Sequence, residues 1–452
     1  MNVVLISTYE LGHQPFGLAS PATWLKRAGA NVVCLDLAVQ SLSAGAITAA
    51  DLVAFYLPMH TATRLATAVI RQVRMLNPEA HLCCYGLYAP LNERYLRRLG
   101  INTVLGGEFE SGLASLYRRL GSARPADNQP EPIISLARQQ FERPDRSGLP
   151  VLTAYAWLQL GDGRRRTAGY TEATRGCKHT CRHCPIVPVY NGRFRVVQRE
   201  VVLDDVRQQV AAGAQHITFG DPDFFNGPGH AIPIVEALHA EFPQVTYDVT
   251  IKIEHLLKYA NRLPRLRETG CLLVTSAVEA VDDRILAIFN KGHTRADFIE
   301  AVTLLRDVGL TLNPTFVTFS PWTTAEGYLD FLSLLYELDL VDSVSPIQYA
   351  IRLLIPAGSK LLELPEVQAL ADDFDEAALA YPWAHPEPAM DELYETVFGL
   401  VKAQQRSGEP RRVLFRRVWQ AAATLVPGRR RPDKIDQKIT AEPIPALSEA
   451  WY

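Results

Sequence analysis

The chain has 452 residues, 48% of them hydrophobic and 21% charged, and 46 Lys and Arg stand against 49 Asp and Glu for a net charge of −3. This composition excludes an intrinsically disordered chain, and the near-neutral balance excludes a protein drawn by its overall field to nucleic acid or to an anionic membrane. At roughly 150 residues per domain, two to four domains are expected. No apolar run reaches the roughly 18 residues that a transmembrane helix needs. The start, "MNVVLISTYE", carries no basic leader, and seven cysteines are an odd number at low density. A cytoplasmic protein with reduced thiols is expected.

Residues 1–120 alternate short apolar runs with amphipathic stretches. "NVVLIST" (2–8), "NVVCLDLA" (31–38), "DLVAFYLPM" (51–59), "AHLCCYGLY" (80–88) and "INTVLGG" (101–107) read as strands. The stretches at 21–29, 61–76 and 91–100 read as the helices between them. Five strands with helical crossovers predict a doubly wound, Rossmann-like α/β domain. Cys83 and Cys84, adjacent in a strand, read as small apolar packing, as do Cys34 and Cys271.

Residues 121–165 begin with a Pro-, Arg- and Asp-rich stretch that loses this rhythm and read as a linker. A second series fills 166–352, with six strand-like runs: "AGYTEAT" (168–174), "HITFG" (216–220), "VTYDVTIKI" (245–253), "CLLVTSAVE" (271–279), "TLNPTFVTF" (311–319) and "SVSPIQYAI" (343–351). Six βα units predict a partial barrel whose ligands lie at the carboxyl ends of its strands. Residues 353–452 read as a mainly helical region. Its arginines around "RRVLFRRVWQ" read as a solvated helix face rather than a nucleic-acid surface, because few aromatics interleave with them.

The chemistry concentrates in "TRGCKHTCRHCPI" (174–186), with Cys177, Cys181 and Cys184. Structural zinc takes four ligands, and the fourth would have to be His179 or His183 inside the same short loop. A 4Fe-4S cluster takes thiolates as well, and three of them leave one iron open for a substrate.

The spacing in "CKHTCRHC", placed after the first strand of a partial barrel, resembles the radical SAM superfamily. The resemblance implies a 4Fe-4S cluster on the three cysteines, S-adenosylmethionine on the open iron, and reductive cleavage to a 5′-deoxyadenosyl radical. It places His183 near the adenine. It makes Gly220, Asp221 and Asp223 of "GDPDFF" candidates for the methionyl ammonium, Ser276 and Glu279 for the ribose and carboxylate region, and Arg352 for a carboxylate. It implies a small-molecule or peptide substrate and an electron donor such as flavodoxin or ferredoxin, and it assigns no further catalytic residue.

Residues 1–115 resemble the cobalamin (B12)-binding domain that precedes many such barrels. The Asp-x-His-x-x-Gly loop is missing, and His13 lies in the corresponding loop with different spacing. Gly86 and Tyr88, and Gly106 and Gly107, are the candidate cobalamin contacts. With cobalamin the implied reaction is methyl transfer. Without it, the alternatives are direct hydrogen abstraction or aminocarboxypropyl transfer. The closing "ITAEPIPALSEAWY" resembles the tail of radical SAM proteins ending in Cys-Cys (or Cys-selenocysteine)-Ala-Glu-Pro, with Ile439 and Thr440 in place of that pair. Two other readings keep the loop but not the catalysis: a zinc-binding regulator and a cluster-bearing sensor.

Overall fold

The computed structural model describes residues 1–122, 129–428 and 444–448. Ile439, Thr440 and nearly all of the basic run at 428–434 lie outside the described residues.

Strands β1 (Asn2–Ser7), β2 (Asn31–Asp36), β3 (Leu52–Tyr56), β4 (His81–Tyr85) and β5 (Thr103–Gly107) form one parallel sheet. Its order is β2-β1-β3-β4-β5, with a sixth short strand, β6 (Ile134–Ser135), beside β5. Parallel strands covered on both faces are apolar along their whole length. Accordingly Val3, Leu5 and Ala54 pack on one side of the sheet, and Val4, Val53 and Phe55 on the other. The first helix runs Phe16–Arg27 and begins five residues before the Pro21 expected near its start.

The segment read as a linker belongs to both sheets. It supplies β6 to the first and β7 (Trp157–Gln159) to the second, and between them Arg146 is buried, bonded to Asp205, Gln14 and the Tyr170 carbonyl. Polar composition concealed this, although Phe141, Leu152 and Leu158 of the segment are buried.

The second sheet is a half-barrel with parallel strands β8 (Arg165–Thr171), β11 (His216–Phe219), β12 (Thr246–Thr250), β13 (Cys271–Glu279) and β14 (Thr311–Phe316). At the β8 edge β7 pairs antiparallel, followed by β15 (Ala446–Leu447) from the tail. The first barrel strand ends three residues earlier than read. The chain then starts a separate hairpin of β9 (Thr174–Gly176) with β10 (Phe194–Val196). The expected sixth strand is a 3-10 turn over Pro346–Ala350, and the single pair Phe319 and Arg352 continues the sheet. Pro346 has no N–H to donate, and the Gln348 side chain accepts the Phe316 N–H in place of a neighbouring strand.

Helices Pro388–Ser407 and Arg411–Ala423 pack Val397, Phe415 and Trp419 into the barrel's outer core. The arginines of the second helix are paired: Arg411 with the Asp342 and Val344 carbonyls, Arg412 with the Asp342 carboxylate and Arg417 with Glu409. Among the described residues no helix is long and apolar enough to cross a membrane.

Candidate active site

The cysteine loop is the excursion inside the β9–β10 hairpin. Gly176, last residue of β9, has φ +74°, and a Cβ there would lie 2.3 Å from the Tyr190 ring and 2.6 Å from the Arg193 carbonyl oxygen. Only glycine takes that conformation at that clearance. Outer contacts fix the loop. The Lys178 N–H donates to Asn226 Oδ1 at 3.2 Å, the Arg182 N–H donates to the Phe289 carbonyl at 2.9 Å, and Asn290 Nδ2 donates to the Thr180 carbonyl at 3.2 Å. Cys177 and Cys181 are buried and Cys184 half-buried. Burial pushes the free thiol of Cys177 up to about 11 and that of Cys184 up to about 12.

Two buried lysines stand beside these thiols. Lys252 Nζ, just past β12, lies 3.9 Å from Cys181 Sγ. Lys291, 3% exposed, ion-pairs Glu279 at 3.4 Å, and its charge acts on Cys181 and Cys184. Glu279, in turn, is 3.1 Å from His183 Nε2. Burial opposes ionisation of Glu279, but the charges and hydrogen bonds of Lys291 and His183 outweigh it and bring its pKa down to about 2. Glu279 also holds φ +70°, a strained conformation of the kind that collects at functional sites.

On the loop's other side Asp223 Oδ2 lies 2.5 Å from His255 Nδ1 and 3.6 Å from His179 Nε2. Cys177, His179 and Asp223 bring one ligand atom each within 4.8 Å of one another. A mononuclear ion there would use one thiol of three and leave Cys181 and Cys184 without a role.

The remaining candidates are placed differently from the expectation. Asp221 has both oxygens engaged, by the Ala173 N–H at 3.0 Å and the Thr174 hydroxyl at 2.5 Å, so it closes the turn into β9 instead of facing a ligand. Ser276 is fully buried on the strand face of Val274 and Val278, which pack in the outer core. Side chains alternate along a strand, so Ser276 faces the helices and not the barrel lumen. Arg352 ion-pairs Asp391 at 2.6 Å, donates to the Trp383 carbonyl and lies 3.8 Å over the Trp383 ring, a structural clamp. At Gly220 a Cβ would lie 1.8 Å from the Tyr170 hydroxyl.

The carboxyl ends of the two sheets face each other across a cavity of about 200 Å³. Glu10, His13, Tyr56 and Gly107 line it from the first domain, and Tyr170, Glu172, Arg175 and Gly220 from the barrel. Arg175, two residues before Cys177, is the hub between the domains. It bonds Glu110 at 2.6 and 2.9 Å, Glu172 at 2.6 Å and Glu108 at 3.5 Å, and it lies 5.0 Å from the Phe109 ring. Burial raises Glu108 to about 7 and Glu10 well above the carboxylate range, and lowers His13 to about 4. For Glu110 burial is outweighed by Arg175, and its pKa falls.

Of the residues expected to hold cobalamin, Gly107 lines the cavity and the other three are packed against protein. Gly106 meets Pro90, Gly107 meets the Ser135 carbonyl, Gly86 meets the Leu57 carbonyl, and Tyr88 is buried. Tyr56, Tyr85 and Phe109 cluster with tilted rings at centroid distances of 5.0 to 5.9 Å over the strand ends, with Tyr85 Oη donating to the Gly17 carbonyl at 2.8 Å. Pockets for drug-sized ligands run about 300–1,000 Å³. With the side chains as they stand, the cavity of about 200 Å³ is smaller than that.

Lys252, Lys291, His255, Glu10 and Arg175 escaped sequence reading. Arg175 alone carried a local signal, as the residue of "TRGC" that continues the barrel's first turn toward the cysteines.

A half-barrel with a three-thiol loop at its strand ends, preceded by a parallel α/β domain, defines a class of enzyme. Residues 171–332 match the model of the Radical SAM superfamily, whose members use a 4Fe-4S cluster and S-adenosylmethionine. Among solved structures, the cobalamin-dependent S-adenosylmethionine radical enzyme OxsB with aqua-cobalamin and S-adenosylmethionine bound aligns with TM-score 0.69 at 14% identity, over 94% of this chain and 71% of that one. The radical S-adenosylmethionine methyltransferase TsrM from Kitasatospora setae, with tryptophan substrate and a SAM analog bound, aligns with TM-score 0.62 at 17% identity, over 88% and 83%. At these identities the likeness shows the fold. By sequence the chain is 24% identical over 326 residues to the hopanoid C-3 methylase of Methylococcus capsulatus, covering 68% of this chain and 62% of that protein. It is 25% identical over 179 residues to the tRNA-2-methylthio-N(6)-dimethylallyladenosine synthase of Prosthecochloris aestuarii, covering 38% and 40%. The chain thus spans less than two thirds of the length of these relatives.

Proposed function

We propose that this enzyme cleaves S-adenosylmethionine reductively at a 4Fe-4S cluster held by Cys177, Cys181 and Cys184, and that the radical acts directly on a substrate without a corrin. The observation that carries the reading is three thiols in one rigid loop with two buried lysines beside them. Three thiolates on a cube add negative charge, and Lys252 and Lys291 offset it at short range in a low-dielectric setting. Thiolates are the donors such a cluster selects, and the loop's hairpin, its Gly176 hinge and its backbone bonds to Phe289 and Asn226 fix them before a cluster binds.

When bound, the reduced cluster supplies the electron that splits the sulfonium into methionine and a 5′-deoxyadenosyl radical. Around it the chain's own groups do the holding. Glu279, kept ionised by Lys291 and His183, is an acceptor for ribose hydroxyls, and the His183 ring, 4.6 Å from Phe289, is a flat neighbour for adenine. Asp223 orients His179 and His255 on the loop's far side. The TsrM name describes a radical S-adenosylmethionine methyltransferase with cobalamin bound, and the OxsB name a cobalamin-dependent radical enzyme. The packed strand ends of this chain favour the corrin-free alternative.

The test is anaerobic: reconstitute the cluster, add S-adenosylmethionine and a strong reductant, and identify the products by mass spectrometry beside Cys181→Ala. 5′-Deoxyadenosine formed only with the intact loop supports the reading. Methylthioadenosine in its place would move aminocarboxypropyl transfer ahead, and a loaded but inert protein would favour a sensor.

A further inference from the structure

The interdomain cavity has a charge pattern that the cluster chemistry does not need. Three carboxylates, Glu108, Glu110 and Glu172, pair with the guanidinium of Arg175, and Glu172 and a further carboxylate, Glu10, line the cavity. Arg146 nearby is bonded through two nitrogens to Asp205. Arg175 reaches Glu108, Glu110 and Glu172 but has no bond to Glu10. Glu10 is 6% exposed and lines the cavity, and its Oε2 has no hydrogen-bond partner among the described residues. An unpartnered buried carboxyl oxygen costs about 1–3 kcal/mol or more, and a donor entering the cavity that Glu10 lines would relieve that cost.

The walls specify the donor further. Tyr56, Phe109, Tyr170 and Tyr190 present aromatic surface to the same space, and a carboxylate set among aromatic rings is the environment that recognises an organic cation. Gly220 and Gly176, against which Tyr170 and Tyr190 pack, also line this space, and Gly176 directly precedes Cys177.

We propose that the cavity between the α/β domain and the barrel binds a small organic amine as its ammonium ion, with Glu10 as the receiving carboxylate, and that it does not bind a corrin. Resting on the reading of the preceding subsection, the amine is the substrate, lying beside the residue that precedes Cys177.

The probe is n-butylamine, with n-butanol as its uncharged counterpart, titrated by anaerobic calorimetry into the full-length, cluster-loaded protein. Butylamine should bind and butanol should not, and Glu10→Gln should weaken butylamine by roughly tenfold or more, the loss of a buried charge-assisted bond. Should Glu10→Gln fail to fold, Met59→Lys serves. It sets a tethered ammonium at the half-buried rim and should abolish butylamine binding while the melting temperature stays near the parent's. In parallel, the protein incubated with aquacobalamin and passed through gel filtration should emerge without corrin absorbance. Stoichiometric corrin retention, no butylamine binding, or equal binding in Glu10→Gln would each overturn the proposal. The two readings fail separately. Wild-type protein that makes 5′-deoxyadenosine but binds no amine sinks only this inference, and protein that binds amine but makes no 5′-deoxyadenosine sinks only the previous one.

Discussion

Arg175 donates to both carboxylate oxygens of Glu110, at 2.6 and 2.9 Å, across the boundary between the half-barrel and the α/β domain. The pair is buried, with Glu110 also held by Ser20 and Gln139. Because Arg175 stands on β9, the strand that opens the cysteine loop, the interdomain contact and the cluster loop share one backbone segment. Arg175→Met leaves several buried carboxylates without their cation, and breaking a buried pair from one side typically costs about 3–5 kcal/mol. A loss of that size is expected in urea unfolding. Adding Glu110→Gln to Arg175→Met should recover part of it, since the second change removes one stranded charge. Losses that simply add would show the two residues to be uncoupled.

The cysteine loop gives a second expectation. Each of Cys177→Ala, Cys181→Ala and Cys184→Ala should fold, because the loop is fixed from outside by Asn226, Phe289 and Asn290 and not by the thiols. Each should lose bound iron and the broad absorbance of the reconstituted protein. Circular dichroism beside an iron count checks this. A variant that retains the full iron complement would remove that cysteine from the ligand set.

What the sequence made legible follows from distance along the chain. The cysteine spacing, the β-branched runs of the first sheet and the apolar faces of the last two helices are local patterns, and all reappear in the structure. The strands β6 and β7 did not announce themselves, because each depends on a partner far away and the surrounding segment is polar. The turn at Pro346 was read as a strand although proline argues against one in a sheet interior. Ser276 could have been placed correctly from "CLLVTSAVE" alone, since its alternation puts Ser276 with Val274 and Val278. Lys252, Lys291 and Glu10 had no local signal, because their significance comes only from what the fold brings beside them.

Lys291 provides a third expectation. Its ammonium sits between Glu279 and the thiols of Cys181 and Cys184. Lys291→Met removes a buried positive charge from beside the proposed cluster, so the reduced, more negative state loses stabilisation. The midpoint potential should fall by an amount on the order of tens of millivolts, since net charge near a cluster is one of the determinants of its potential. Potentiometry followed by electron paramagnetic resonance reads this directly. Lys291→Arg should restore most of the shift, an outcome that a merely structural role for the side chain would not produce. 5′-Deoxyadenosine formation should slow in Lys291→Met as well, because Glu279 loses the charge that holds it ionised.

Glu108 carries the last expectation, which concerns pH. Burial raises it from the usual 4.5 to about 7, the nearby Arg175 charge opposing and Glu110 adding to the rise. Between pH 4.5 and 7 the folded chain therefore holds a proton on Glu108 that the unfolded chain has released. More protons on the folded state mean that this group's contribution to stability declines as pH rises through that window and levels off above it. Buried His13 and His293, both lowered to about 4 by burial, titrate with the opposite sense, so the pH profile of the wild type mixes the two. The difference between wild type and Glu108→Gln isolates the carboxyl, since Gln keeps an oxygen for the Tyr190 hydroxyl that now donates to Glu108 at 3.2 Å. From pH 5 to pH 8 the variant should gain on the order of 2 kcal/mol relative to wild type in urea unfolding. A constant difference across that range would mean that Glu108 is ionised throughout and that Arg175 outweighs its burial.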